Sequence, residues 1–371
     1  MKHRKSSLAA LATLALALAA CGGGAGDGTT TSGPDVTTGE LTPVRLQLQW
    51  VTQAQFAGYF AAVEQGFYTE EGLDVTILEG AVDIVPQQVV ASGGAEFGIA
   101  WVPKALVSRE EGANLVNIGQ VFQRSGTLEV SWADSGIDSP EDWEGKRVGT
   151  WGFGNEFELT AAFELYDVTP AEVVQQPFDM SLLLNREIDA AQAMTYNEYA
   201  QVLEATNPDT GELYTPEDLS VIDFNEVGTA MLQDAIWVDE AWLAENEELA
   251  SAFLRASFRG WIYCRDNPEP CVQIVLDRGS ALGASHQAWQ MNEINALIWP
   301  SPQGIGVIDP ELWSQTIEVA VGQDVISADP GEAAYRTDLA EAAVAALEEE
   351  GLDTAGANFQ KTTVTLNPGG E

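Results

Sequence analysis

Basic residues are scarce in this chain: 16 Lys and Arg stand against 57 Asp and Glu, a formal net charge of −41. Such a surface repels nucleic acid and anionic lipid headgroups, and its overall charge does not steer anions inward. It reads as a solvated acidic surface, of the kind used for solubility in saline surroundings, rather than as acidic recognition of a partner. Cysteine is limited to Cys21, Cys264 and Cys271, and histidine to His3 and His286. With no cluster of soft ligands, a metal site is not expected. No G-x-S-x-G occurs, so His286 has no nucleophile elbow to serve and Ser/His/Asp hydrolysis is unsupported. No apolar run reaches 18 residues, so nothing reads as a spanning helix. No fixed-period repeat is present.

What the chain start does contain is a leader. “MKHRK” is a positive n-region, and Leu8–Ala20 is an apolar run of 13 residues, the length of a signal-peptide core. It ends in “LAAC”, which resembles the lipobox whose Cys, here Cys21, is lipidated and becomes the mature N-terminus. The alternative is a plain secretory signal. “GGGAGDGTTTSGPDVTTGE” follows as a flexible polar tether. The expected organisation is a signal peptide over 1–21, a tether over 22–42 and a body beyond, lipid-anchored to the cell membrane and facing outside the cytoplasm. There, Cys264 and Cys271 in “CRDNPEPC” can close a small disulfide loop; two free thiols are the alternative.

The body alternates strand-length apolar runs with helical segments. “VRLQLQW”, “GLDVTILEG”, “AEFGIAW” and “NLVNIGQVF” read as strands, with helices between them. This βαβα rhythm predicts an α/β fold with a largely parallel sheet. After “QRSG” the pattern restarts with “LEVSWA” and continues to “LSVIDFNEVG”. From about residue 235 the chain reads as helical. Residues 43–126 and 227–371 therefore form lobe 1, and 127–226 form an inserted lobe 2. Two hinge crossings fall near 124–132 and 222–230. Ligands of open α/β sheets bind beyond the carboxyl ends of the strands, here between the lobes.

“LQLQWVTQAQFAGYFAAVEQGFYTEEGLDVTILEGAVDI” resembles the N-terminal signature of ABC-importer solute-binding proteins of the thiamine-pyrimidine and riboflavin type. These group with sulfonate-, taurine- and nitrate-binding proteins. The likeness continues through “SGGAEFGIAW”, “IGQVFQRSG”, “GKRVGTWGFGNE” and “AAQAMTYNEYA”, over roughly residues 44–260. It implies a type II periplasmic-binding-protein clamshell that hands its ligand to an ABC permease and ATPase. “QWVTQAQFAGYF” and “MTYNEY” look nearest to riboflavin- and pyrimidine-binding members, so the implied ligand is riboflavin or a thiamine pyrimidine precursor. Thiamine-pyrimidine synthases look like the same clamshell but use a histidine, a pyridoxal-bearing lysine and a cysteine-rich iron motif. This chain has no cysteine cluster, its mature histidine falls late, and Lys104 reads as a solvated surface charge. No enzyme activity and no cofactor are expected. A sulfonate or nitrate binder is a further alternative, which a basic residue lining the cleft would favour.

Candidate ligand residues follow from strand ends. Trp50, Gln53, Gln55 and Phe56 lie where a strand turns into a helix, offering amides for a heterocycle's edge and aromatics for its face; Tyr59 reads as core. Trp101 ends another strand. Ser125, with the backbone of Gly126, sits at the first crossing. “GTWGFGNEF” offers half a dinucleotide fingerprint, but the third small residue is missing. Glu156 at the helix start would repel a phosphate there. The loop instead brings Trp151 or Phe153 over a ring, while Asn155 and Glu156 bond a neutral or cationic group; Glu156 can also serve its own helix dipole. Tyr196, Asn197 and Glu198 enter a helix of lobe 2, with Asn197 either a ligand contact or an N-cap. Asp234 and Trp299 are later cleft candidates.

Overall fold

The computed structural model describes residues 40–371; the leader, Cys21 and most of the tether lie outside the described residues. Ten strands form two five-stranded sheets. Sheet one holds β1 (Thr42–Gln47), β2 (Leu73–Leu78), β3 (Phe97–Trp101), β4 (Leu115–Gln120) and β10 (Asp234–Asp239). Sheet two holds β5 (Thr127–Trp132), β6 (Arg147–Thr150), β7 (Glu172–Gln175), β8 (Ala190–Met194) and β9 (Leu219–Asp223).

The two sheets share one plan. Their orders are β2-β1-β3-β10-β4 and β7-β6-β8-β5-β9. In each, four strands run one way and the fifth, β10 or β5, runs against both its neighbours. The reason is the crossing. The chain leaves sheet one from the carboxyl end of β4 and enters sheet two as β5; it leaves from β9 and returns as β10. Each crossing strand therefore starts at the end where the parallel strands finish, and has to run antiparallel. The largely parallel sheet expected from the βαβα rhythm thus carries one antiparallel strand per lobe. Residues 234–239, expected to open a helical region, are that strand. A short buried run such as “DAIWVD” carries no period by which to tell the two apart.

Burial follows position. All residues of β3, β4, β5 and β8 are buried, as expected for strands covered on both faces. Under sheet one, helix Ala57–Glu64 packs on the 20-residue helix Glu247–Asp266. Gly58 and Gly260 let the two backbones meet: a Cβ on Gly260 would run into the Gly58 carbonyl, and one on Gly58 into the Trp261 ring. Tyr59 sits edge-on to Trp261 at 5.6 Å. Cys264 and Cys271 form a disulfide, Cα–Cα 5.3 Å, that ties this long helix to the next, Pro268–Asp277. Gly260→Ala is expected to lower stability by about 1–3 kcal/mol through overpacking, read as an earlier urea midpoint. An unchanged midpoint would mean that the two helices separate freely.

Candidate ligand-binding site

A cavity of about 510 Å3 lies between the sheets. Six parallel strands deliver its walls from their carboxyl ends, as open α/β sheets do. Beyond β1 come Gln49, Trp50, Gln53 and Gln55; beyond β2, Val82 and Val85; from β3, Trp101 and Lys104. Facing them, β6 leads to Trp151, Phe153 and Asn155; β7 to Phe178; β8 to Tyr196, Asn197 and Glu198.

The floor is organised by Asp234, the first residue of β10. Its buried carboxyl accepts from Gln49 Nε2 at 2.5 Å, Gln55 Nε2 at 3.0 Å and Trp101 Nε1 at 2.9 Å. Burial pushes its pKa up to about 7 against those three donors. A carboxyl that receives three donors sets the amides around it. Gln55 must turn its NH2 to Asp234, leaving its oxygen to accept from Gln53 Nε2 at 2.6 Å. The oxygen of Gln53, a residue of the cavity wall, is then buried and without a partner.

The opposite wall is aromatic. Trp151 lies nearly parallel to Phe178, 14° and 6.2 Å apart, and Trp50 reaches across from lobe 1 to within 5.1 Å of Phe178. The indole N–H of Trp151 is buried and unpartnered. Next to it the glycine loop turns on three successive left-handed residues, Gly152, Phe153 and Gly154, with φ of 71°, 57° and 83°. A phenylalanine rarely adopts this conformation, and here it places Phe153 at the mouth, 72% exposed. Gln192 braces the loop from behind, donating to the Asn155 carbonyl and accepting from Thr150 Oγ1.

Two side-chain contacts cross the cavity itself. One is Trp50 with Phe178. The other is Lys104, whose ammonium donates to Asn155 Oδ1 at 2.7 Å and lies 4.8 Å from the Trp101 ring centroid. Burial lowers its pKa to about 8, against the pull of Glu156 and Asp234. Lys104 is the one cation among the described residues lining the cavity, which also carries Glu111 and Glu198. The Glu198 carboxyl is buried, its pKa raised to about 7 by desolvation, and it accepts from Met194 N and Asn197 Nδ2.

Residues 53–270, more than half of the chain, match the NMT1/THI5-like family. The chain belongs to that family. It is 25% identical over 285 residues to the formylaminopyrimidine-binding protein of Halalkalibacterium halodurans, covering 75% of this chain and 84% of that one. It is 25% identical over 307 residues to the riboflavin-binding protein RibY of Chloroflexus aurantiacus, covering 78% and 83%. A 4-amino-5-hydroxymethyl-2-methylpyrimidine phosphate synthase of Legionella pneumophila is 25% identical over 234 residues, covering 62% and 72%. In fold, the periplasmic sulfonate-binding protein SsuA of Methylobacillus flagellatus superposes with a TM-score of 0.58 at 16% identity, covering 84% of this chain and 96% of that one. The fold is that of periplasmic binding proteins, a two-lobed α/β clamshell.

Ten of the residues expected at the site stand on the cavity wall: Trp50, Gln53, Gln55, Trp101, Trp151, Phe153, Asn155, Tyr196, Asn197 and Glu198. Three do not. Phe56 is fully buried in the lobe 1 core, because the turn at 54–56 points it inward. Ser125 sits in the first crossing, its hydroxyl accepting from Thr127 N and Gln233 Nε2. Glu156 accepts from Gly154 N at 2.9 Å and so holds its own loop. Asn197 stands at the N-cap position without capping. Asp234 underlies the wall rather than lining it, and Trp299 is core, beneath Arg265. Lys104, read as a surface charge, is instead half-buried on the wall; it follows Trp101 by three residues at a helix start, the same signal that marked its neighbours. Phe178 was missed altogether. It stands three residues beyond β7, in the run “EVVQQPF”, where no aromatic pair marks it in the sequence.

Beside the site, Glu158 is buried on lobe 2, its Oε1 accepting from Met231 N at 2.6 Å and its Oε2 unpartnered, with a pKa raised to about 7 by desolvation. The folded chain keeps this proton where the unfolded chain has released it. Its contribution is therefore most favourable below the ordinary carboxylate pKa and is lost as pH rises through about 7. Glu158→Gln is expected to flatten the fall in Tm between about pH 5 and about pH 8. An identical Tm profile in the two proteins would show that Glu158 ionises freely in the folded state.

Proposed function

We propose that this protein is the extracytoplasmic substrate-binding component of an ABC importer and captures a small aromatic heterocycle for delivery to a permease. The observation that carries the reading is the pairing of an aromatic wall with unsatisfied edge groups. Trp50, Trp151 and Phe178 offer faces for a flat ring, while Gln53 Oε1 offers an acceptor and Trp151 Nε1 a donor. A buried polar atom without a partner costs about 1–3 kcal/mol, which a ligand's complementary edge recovers. The volume lies within the ~300–1,000 Å3 of pockets that bury small organic ligands. Relatives named for formylaminopyrimidine and riboflavin binding agree with this chemistry, and both ligands present ring N–H or amino donors beside acceptors. The disulfide supports an oxidising compartment. The lipobox at Cys21 supports an anchored form.

Lys104 favours a second reading, an anion such as a sulfonate. Its charge is offset, however, by Asp234 and Glu156, and Glu198 stands on the wall with it. A synthase is less well supported. A pyridoxal phosphate needs a phosphate cradle besides its lysine, and Lys104 is alone among the lining residues as a cation, with no histidine among them. The donor set does not fit that group. A thermal-shift panel of riboflavin, formylaminopyrimidine, an alkanesulfonate, nitrate and pyridoxal phosphate tests the reading. At about 100 Kd a ligand raises stability by about 2.7 kcal/mol. Stabilisation by a heterocycle is expected; stabilisation by the sulfonate or by pyridoxal phosphate alone would displace it.

A further inference from the structure

His286 and Gln287 are consecutive on helix Ala284–Ile298, and each holds one jaw of the cavity. Gln287 Oε1 accepts from Ala54 N at 2.7 Å, inside the turn that carries Gln53 and Gln55. His286 is buried and reaches lobe 2 with both ring nitrogens. Nδ1 lies 2.8 Å from Glu204 Oε1, and Nε2 lies 3.0 Å from Asn197 Oδ1. Asn197 passes the contact on, its Nδ2 donating to Glu198 Oε1 at 2.8 Å. The other oxygen of Glu198 accepts from Met194 N at 3.0 Å.

The Asn197 amide sets the directions of these bonds: its NH2 donates to Glu198 and its oxygen faces His286, so Nε2 donates to it. The imidazole is thereby committed as the first member of a chain that ends on the cavity wall. Two further contacts hold this helix and the His286–Glu204 pair against lobe 2. Trp289, on the same helix, donates its indole N–H to the Thr195 carbonyl at 2.9 Å, beside Tyr196. Gly370 closes over the His286–Glu204 pair so tightly that a Cβ there would lie 2.9 Å from His286 Cβ and 3.0 Å from Glu204 Oε2.

We infer that His286 is a positioning residue of the ligand site: through Asn197 its Nε2–H sets the Glu198 carboxyl on the cavity wall, while its helix braces the facing jaw through Gln287. The inference rests on the cavity being the ligand site. The carboxyl it sets is the one acid among the described lobe 2 residues lining the cavity, and Gln53 lines it from lobe 1. The places of both side chains come from one helix.

The test separates the two ring nitrogens. A glutamine amide reaches the place of Nε2, and an asparagine amide that of Nδ1. His286→Gln is therefore expected to keep the bond to Asn197, and His286→Asn to keep only the one to Glu204. Affinity for riboflavin and for formylaminopyrimidine should stay within about threefold in the Gln variant and fall about tenfold in the Asn variant, the loss of one buried hydrogen bond. Hydrogen exchange of the Met194 amide in the ligand-free protein should stay slow in the first and quicken in the second. Asn197→Ala, which leaves the His286–Glu204 pair in place, should quicken the Met194 amide likewise, and supplies the answer if a His286 variant does not fold. Equal losses in both His286 variants, or a Met194 amide unmoved by His286→Asn and Asn197→Ala, would overturn the inference. If neither probe binds the parent protein, the functional reading fails, and Met194 exchange still decides the positioning role.

Discussion

Asp234→Asn is expected to weaken ligand binding about 100-fold, close to 3 kcal/mol. The substitution preserves shape and removes charge. Asp234 receives three donors, from Gln49, Gln55 and Trp101. An asparagine side chain in its place has one acceptor oxygen, and its NH2 faces donors from which it cannot accept. Gln55 then relaxes by turning its oxygen toward the new NH2, which offers Gln53 a donor in place of an acceptor. The free acceptor on the wall is exchanged for an N–H. A ligand N–H that met an acceptor now meets another donor. Calorimetric Kd values, with circular dichroism to confirm the fold, read the effect. Parent-like affinity would mean that the floor does not set the amides above it.

Trp151→Ala should cost about 1–3 kcal/mol of binding, roughly tenfold to a hundredfold. Trp151 presents a face and an unpartnered N–H, and it holds Phe178 in near-parallel stacking. Its removal takes away one ring and frees another. Phe153→Ala should change affinity far less, because Phe153 stands exposed at the mouth. Glu156→Gln should do the same, since that carboxylate serves the Gly154 amide of its own loop. Fluorescence titration of the three variants sorts them. A Trp151 variant as tight as the parent, beside a weak Phe153 variant, would move the ring contact from the wall to the mouth.

The α/β character was legible because parallel strands are buried on both faces and read as apolar runs, with helices between. Sites at strand ends were legible for the same reason: once “GKRVGT” is a strand, Trp151 must stand at its end. The antiparallel strand 234–239 was not, because its direction comes from the chain crossing between lobes, which no local pattern encodes. Phe56 and Trp50 are six residues apart beside one turn, and only the 3-10 turn at 54–56 decides which faces the cavity. Lys104 was misread because a lone lysine is usually solvated; the amide of Asn155 that it bonds and the carboxyl of Asp234 that draws it come from separate parts of the chain. The links from His286 to Asn197 and Glu204 span 89 and 82 residues, and spacing says nothing about them.

The central claim is that the cavity takes a flat nitrogen heterocycle between Trp50, Trp151 and Phe178. Calorimetric titration of the purified chain with riboflavin and with formylaminopyrimidine tests it most directly. One of the two is predicted to bind saturably with one site per chain, and to lose that heat in Asp234→Asn. Silence with both, together with saturable binding of an alkanesulfonate, would contradict the account.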